Sequence, residues 1–122
     1  MQVQYRMNEK IMTWSSRNFY HGFLYAAKAV SDRHLCDIPG ITSDSFTKCV
    51  LKLYDSAGQN LREISNESKR AKSFGNMGEA AIVVNYVERL VSHGVTADMI
   101  AVIAPYNYQV KEHFHLSSCT VK

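Results

Sequence analysis

At 122 residues, with 46% apolar and 20% charged side chains, the chain has the length and balance of one globular domain. Lys and Arg number 14 against 11 acidic residues, and the net charge of +3 permits a polyanionic partner without requiring one. No run approaches the roughly 18 apolar residues of a membrane-crossing helix, and the first residues lack the basic-then-apolar order of a signal peptide, so neither is expected.

Residues 2–6, QVQYR, read as a short β-prone strand. Asn8 suits an N-cap, and Glu9 sits in the first helical turn, where a carboxylate complements the helix dipole. The helix starting there is predicted to carry Ile11, Met12, Trp14 and Phe19 toward a core, with Gly22 as its stop or break. Residues 24–34 are expected to hold another short helical piece, and CDIPGITSDS a loop. In KCVLKLYD, 48–55, Cys49, Leu51 and Leu53 alternate with Val50, Lys52 and Tyr54, which is a strand pattern. The stretch 56–75 is polar and aperiodic and reads as a long surface loop.

Helical periodicity is clearest in Val83, Tyr86, Val87, Leu90 and Val91. Asn76 and Glu79 have the spacing of a capping box, while His93 and Gly94 end the helix. MIAVIA, 99–104, is a continuous apolar run closed by Pro105, as in a buried parallel strand. This order of elements predicts an α/β fold with a parallel sheet. Three strands make a thin sheet, the chain starts inside a strand, and none follows NYQVKEHFHL. A domain truncated at both ends is expected to look like this.

Several motifs carry a chemical reading beside a plainer one. YDSAG, 54–58, has the Asp-x-x-Gly of a GTPase magnesium and switch site, but no Gly-Lys pair accompanies it, and a strand end turning at Gly58 accounts for it. His113, His115 and Cys119, with His34 and Cys36, do not repeat a zinc spacing, so no metal is expected. Cys36, Cys49 and Cys119 are odd in number and irregularly spaced, which fits reduced thiols inside a cell. Lys69, Arg70 and Lys72 offer cations to phosphate, though a solvated loop accounts for them. In PYNYQ, Tyr106 and Tyr108 offer faces for base stacking, and Asn107 and Gln109 offer amides; a helix cap at Asn107 and a packed Tyr108 is the plainer reading. Tyr5 and Arg6 stand at a strand's carboxyl end, where open parallel sheets meet ligands. A core tyrosine and a surface arginine is the plainer reading of that pair.

Taken together, the ordered series VQYRMN, FYHGFL, YDSAG, NMGEAAIVVNYVERLVSHGV and IAVIAPYNYQV resembles the second RecA-like domain of Upf-type superfamily-one RNA/DNA helicases. Within that group it looks closest to the immunoglobulin mu-binding protein helicases. The resemblance runs from residue 2 to about 111 and implies a partial RecA-like, P-loop NTPase helicase C-terminal domain over 1–111, with 112–122 a divergent, disordered tail. It also implies ATP-dependent, 5′-to-3′ movement on single-stranded RNA or DNA, with ATP and Mg2+ between this domain and a first RecA-like domain, away from membranes and in the nucleus or cytoplasm. By the same resemblance, Tyr5 stacks on adenine, Arg6 is the catalytic finger on the γ-phosphate, and Gln4 supports them. Pro105, Tyr106, Asn107 and Gln109 line the nucleic-acid channel, with Tyr106 and Gln109 the foremost contacts, and Asn76 and Glu79 are structural.

The family's Walker A lysine, its Asp-Glu pair, and its later Gln-Gly-Arg-Glu and Thr-Arg-Ala-Arg motifs do not occur in these residues. The chain alone is therefore expected to hold no cofactor and to be inactive in hydrolysis. Two alternatives remain open at this point: a non-enzymatic truncated product that binds nucleic acid or a partner weakly, and a chain with too few strands to fold.

Overall fold

The computed structural model describes residues 2–68 and 71–111. The expectations placed on Lys69, Arg70, His113, His115, Cys119 and the tail 112–122 lie outside these residues. The fold is α/β with a small parallel sheet, and the chain divides into two compact units, Met1–Leu53 and Tyr54–Lys122.

In the first unit, β1 (Val3–Gln4) pairs in parallel with β2 (Tyr25–Ala26), with Val3 opposite Tyr25 and Gln4 opposite Ala26. The strand expected over 2–6 is thus shorter, and its partner falls inside the segment expected to be helical, which keeps only α2 (Lys28–Ser31). Helix α1 (Glu9–Phe19) lies between the strands and is capped as expected: Asn8 Oδ1 accepts from Lys10 N–H at 2.9 Å. Tyr20 follows as the C-cap, and the chain turns through Gly22 at φ +79°.

Which face of α1 is buried differs from the apolar pattern. Asn8, Met12 and Ser16 are buried, whereas Ile11, Trp14 and Phe19 are exposed. Two polar side chains set this rotation. Asn8 Nδ2 donates to Arg33 O at 2.9 Å, and Ser16 Oγ donates to Leu24 O at 2.9 Å. Buried polar side chains keep hydrogen-bond partners, so the i, i+4, i+8 stripe 8–12–16 faces the chain that returns over the helix. Trp14 and Phe19 pack edge-to-face on the outside, with ring centroids 5.3 Å apart.

Val30, Ile41 and Phe46 complete the buried apolar set of this unit with Met12. The loop 42–47 is held by its own reciprocal bonds. Thr47 is 1% exposed; its Oγ1 donates to Thr42 O at 2.7 Å and accepts from Asp44 N–H at 3.0 Å. Asp44 Oδ1 in turn accepts from Thr47 N–H at 2.9 Å.

In the second unit, β3 (Ile64–Ser68) and β4 (Ala71–Gly75) form an antiparallel ribbon where a loop was expected. The helix read from 76 onward forms as α3 (Met77–Ser92), with Ala80 buried in its first turns and Val95 buried just past its end. His93 is its C-cap and Gly94, at φ +97°, turns the chain. Gly78, in the first turn of α3, lets Leu61 approach; a Cβ there would lie 2.5 Å from Leu61 Cδ2.

The two apolar runs read as strands, 48–55 and 99–104, are not strands. A short turn of 3₁₀ helix takes Ala97–Met99, Lys48 closes a turn on Asp44, and the rest of both runs forms no strand. A strand is held by its neighbour's ladder, and among the described residues neither run has one. Leu53 and Ile103 are accordingly 91% and 92% exposed.

Candidate functional site

The residues of QYRM sit where β1 ends. Gln4 is tied into the sheet by its carbonyl, which accepts from Ala27 N–H at 2.9 Å. Beyond it the chain leaves the ladder and its backbone groups need other partners. The Gln4 side chain supplies them. Its Oε1 accepts from Arg6 N–H at 2.7 Å and from Met7 N–H at 2.8 Å, while Nε2 donates to Met7 O at 2.7 Å and lies 3.6 Å from Met12 Sδ. One amide thus clasps the whole turn. Tyr5 and Arg6 need hold nothing together: the Tyr5 ring is 74% exposed and Arg6 is exposed beside it. A core tyrosine, the plainer reading of the sequence, is not what forms. The turn presents an aromatic face and a guanidinium at adjacent positions.

The DSAG segment turns at Gly58 as the plainer reading expects, but no strand precedes it. Asp55 Oδ1 accepts from Ala57 N–H at 2.9 Å, and Gly58 takes φ +79°. Among the described residues no group of three or more His, Cys, Asp or Glu side chains is placed to hold a metal ion. Cys36 and Cys49 are free thiols, and no helix among the described residues is long and apolar enough to cross a membrane.

PYNYQ belongs to the second unit and is fastened by its last residue. Gln109 is 9% exposed, and its amide straddles the backbone of Asn76: Oε1 accepts from Asn76 N–H, and Nε2 donates to Asn76 O at 3.1 Å. The Asn76 side chain caps α3 by accepting from Glu79 N–H at 3.1 Å. In a full capping box the Glu79 carboxylate would accept from Asn76 N–H. Here Gln109 takes that donor, and Glu79 accepts from Ser56 Oγ at 3.3 Å instead.

A second tie joins the segments, Tyr108 N–H donating to Ser73 Oγ at 3.0 Å. Gly75 permits the approach, since a Cβ there would lie 3.1 Å from Tyr108 Cδ1 and 3.3 Å from Gln109 Oε1. Residues 107–111 are helical, with Tyr106 O accepting from Val110 N–H at 3.2 Å, so the cap position falls on Tyr106 rather than Asn107. Tyr106 is 49% exposed and packs edge-to-face on Phe74, ring centroids 5.6 Å apart. Pro105 and Asn107 are exposed. Of the channel residues expected from the sequence, Pro105, Tyr106 and Asn107 therefore face solvent, and Gln109 is engaged with Asn76. Ser73, Phe74 and Gly75 were not anticipated; they lie in a polar stretch without a periodic signal.

Comparison with known proteins matches residues 1–117 to the AAA domain family. The chain is 44% identical over 108 residues to the mouse DNA-binding protein SMUBP-2, covering 88% of this chain and 11% of that protein. It is 41% identical over 115 residues to the DNA polymerase alpha-associated DNA helicase A of Saccharomyces cerevisiae, covering 90% of this chain and 17% of that protein. An ATP-dependent helicase of Methanocaldococcus jannaschii is 30% identical over 112 residues, covering 91% of this chain and 16% of that protein. The chain thus spans 17% or less of the length of these relatives.

Proposed function

The chain belongs to the AAA domain family and, within it, to the superfamily-one helicases, and from that membership we propose that it forms one wall of an ATP site and part of a single-strand track in a 5′-to-3′ RNA/DNA helicase. The other wall is a first RecA-like domain that brings the phosphate cradle and the magnesium ligands. Nothing in residues 1–122 has the Gly-Lys-Ser/Thr order that such a cradle needs. A nucleus or cytoplasm location follows from work on nucleic acid.

The observation that carries this reading is the Gln4 clasp. It fixes the backbone of residues 5–7 and leaves a ring and a guanidinium exposed side by side. Those two groups fit the two ends of a nucleoside triphosphate. In this reading the Tyr5 ring stacks on the adenine face. Arg6 presents its planar fork to the γ-phosphate and neutralises charge that develops as the phosphoryl group transfers. Gln4 touches neither end and acts by holding the turn. Magnesium would be held by the first RecA-like domain and would neutralise charge on the triphosphate; no described residue of this chain is assigned to it.

On the second unit, Tyr106 offers a half-exposed face to a base, with Pro105 and Asn107 beside it. Gln109 supports this surface through Asn76 and contributes no free amide edge of its own. A half-site predicts that the 122-residue chain has no magnesium-dependent ATP turnover alone. Adding the ATP-binding domain of the same helicase restores it. Turnover by the chain alone that disappears in Arg6→Ala would overturn the reading, because the chain would then hold a complete site.

A further inference from the structure

The ribbon strand β4 brings a cation to the proposed single-strand surface. Lys72 Nζ lies 5.3 Å from the centroid of the Phe74 ring, and the Tyr106 ring meets that same ring edge-to-face at 5.6 Å. The ammonium is therefore no more than about 11 Å from the Tyr106 ring centre. Phe74 meets both, and a cation over a ring and an edge-to-face ring pair are each favourable contacts. The backbones on which these groups sit are fastened together. Tyr108 N–H bonds Ser73 Oγ, Gln109 grips the Asn76 peptide groups, and Gly75 allows the close approach.

We propose that Lys72 is a phosphate contact of the single-strand site, seated by Phe74 beside Tyr106 so that one ring and one cation receive the base and backbone of neighbouring nucleotides. The proposal rests on the reading of residues 105–109 as a nucleic-acid surface and adds β4 to it. Aromatic faces interleaved with cations are what a sequence-tolerant single-strand site needs: stacking holds the bases, and the cation tracks the backbone. A polar strand with one lysine looks like solvated surface in the sequence. Phe74 makes the difference, because its ring fixes where the ammonium stands. Lys72 contacts the ligand, and Phe74 is a positioning residue.

The test is fluorescence anisotropy of a short fluorescein-labelled oligothymidylate with the full 122-residue chain, titrated at several salt concentrations. Each single-strand phosphate neutralised contributes about 0.7 to the slope of log K against log salt. Lys72→Gln is expected to lower that slope by about 0.7, and being exposed it leaves the fold intact. Phe74→Leu is expected to lower the slope too, by releasing the ammonium, whereas Phe74→Tyr keeps it. Tyr106→Ala is expected to weaken binding about fivefold or more at every salt concentration, with the slope unchanged. If the Lys72→Gln slope equals that of the parent chain while Tyr106→Ala still weakens binding, the assignment of Lys72 is overturned and the surface at Tyr106 stands. If Tyr106→Ala also binds as the parent does, or the folded chain does not bind at all, both are overturned.

Discussion

Replacing Gln109 with alanine removes a side chain that joins the PYNYQ segment to the start of α3. Two bonds go, and both involve the backbone of Asn76, a residue only 9% exposed. A buried donor or acceptor left without a partner costs about 1–3 kcal/mol. Two such groups, partly relieved by water entering where the side chain stood, give about 2–4 kcal/mol. For a unit of this size each kcal/mol lowers the melting temperature by about 4–8 °C, so a fall of about 10 °C or more is expected. Amide exchange gives the local readout: the Asn76 N–H loses its acceptor and exchanges much faster, while amides in the middle of α3 exchange faster only as far as the loss of global stability dictates. Gln109→Glu is expected to fall between parent and alanine. Its carboxylate still accepts from Asn76 N–H but sets an oxygen against Asn76 O in place of a donor. A melt shifted by less than about 2 °C, with the Asn76 amide as protected as before, would refute the reasoning, because the clasp would then contribute nothing in solution.

Other perturbations test the remaining contacts. Gln4→Ala frees Arg6 N–H, Met7 N–H and Met7 O from their shared partner; the turn is near solvent, so stability falls by only about 1 kcal/mol. Turnover of the intact helicase should nevertheless drop tenfold or more, and equal turnover would show that the clasp does not position Arg6. Thr47→Val keeps shape but removes the hydroxyl that serves Thr42 O and Asp44 N–H; denaturant unfolding should show a loss of about 1–3 kcal/mol. Gly78→Ala gains about 1 kcal/mol of helix propensity, but its Cβ would meet Leu61 Cδ2 at 2.5 Å and Leu61 Cγ at 3.1 Å. Moving the whole leucine costs about 1–3 kcal/mol, so a melt unchanged or lowered is expected, and a clear rise in melting temperature would show that Leu61 does not pack there.

The helices were legible because their signals are local. Asn8 with Glu9, and Asn76 with Glu79 followed by a 3.6-residue apolar repeat, specify starts that the structure adopts. Pairing between strands was not legible, because it depends on a neighbour. The ribbon β3–β4 joins ISNES to AKSFG, two polar segments with no alternating apolar face, through a backbone ladder to which their side chains give no clue. The runs 48–55 and 99–104 have the composition of strands and, without a ladder among the described residues, form none. The rotation of α1 was hidden for a related reason: Ser16 is buried by a bond to Leu24 O, which no hydropathy pattern records. At the candidate site, the adjacency of Tyr5 and Arg6 could be read directly, and so could the proximity of Tyr106 to Gln109. The grip of Gln109 on Asn76 could not, since it spans 33 residues and uses backbone groups that every residue shares.

The central claim is that Arg6 meets the γ-phosphate from a turn held by Gln4. Its most direct test is single-turnover ATP hydrolysis by the intact helicase that contains this chain, comparing the parent with Arg6→Ala at saturating nucleotide. The account predicts a fall in rate of about 10³–10⁵ with nucleotide affinity changed only a few-fold, because a finger acts on charge that appears in the transition state. Equal rates in parent and variant, or a loss confined to affinity, would contradict it and remove Arg6 from the site.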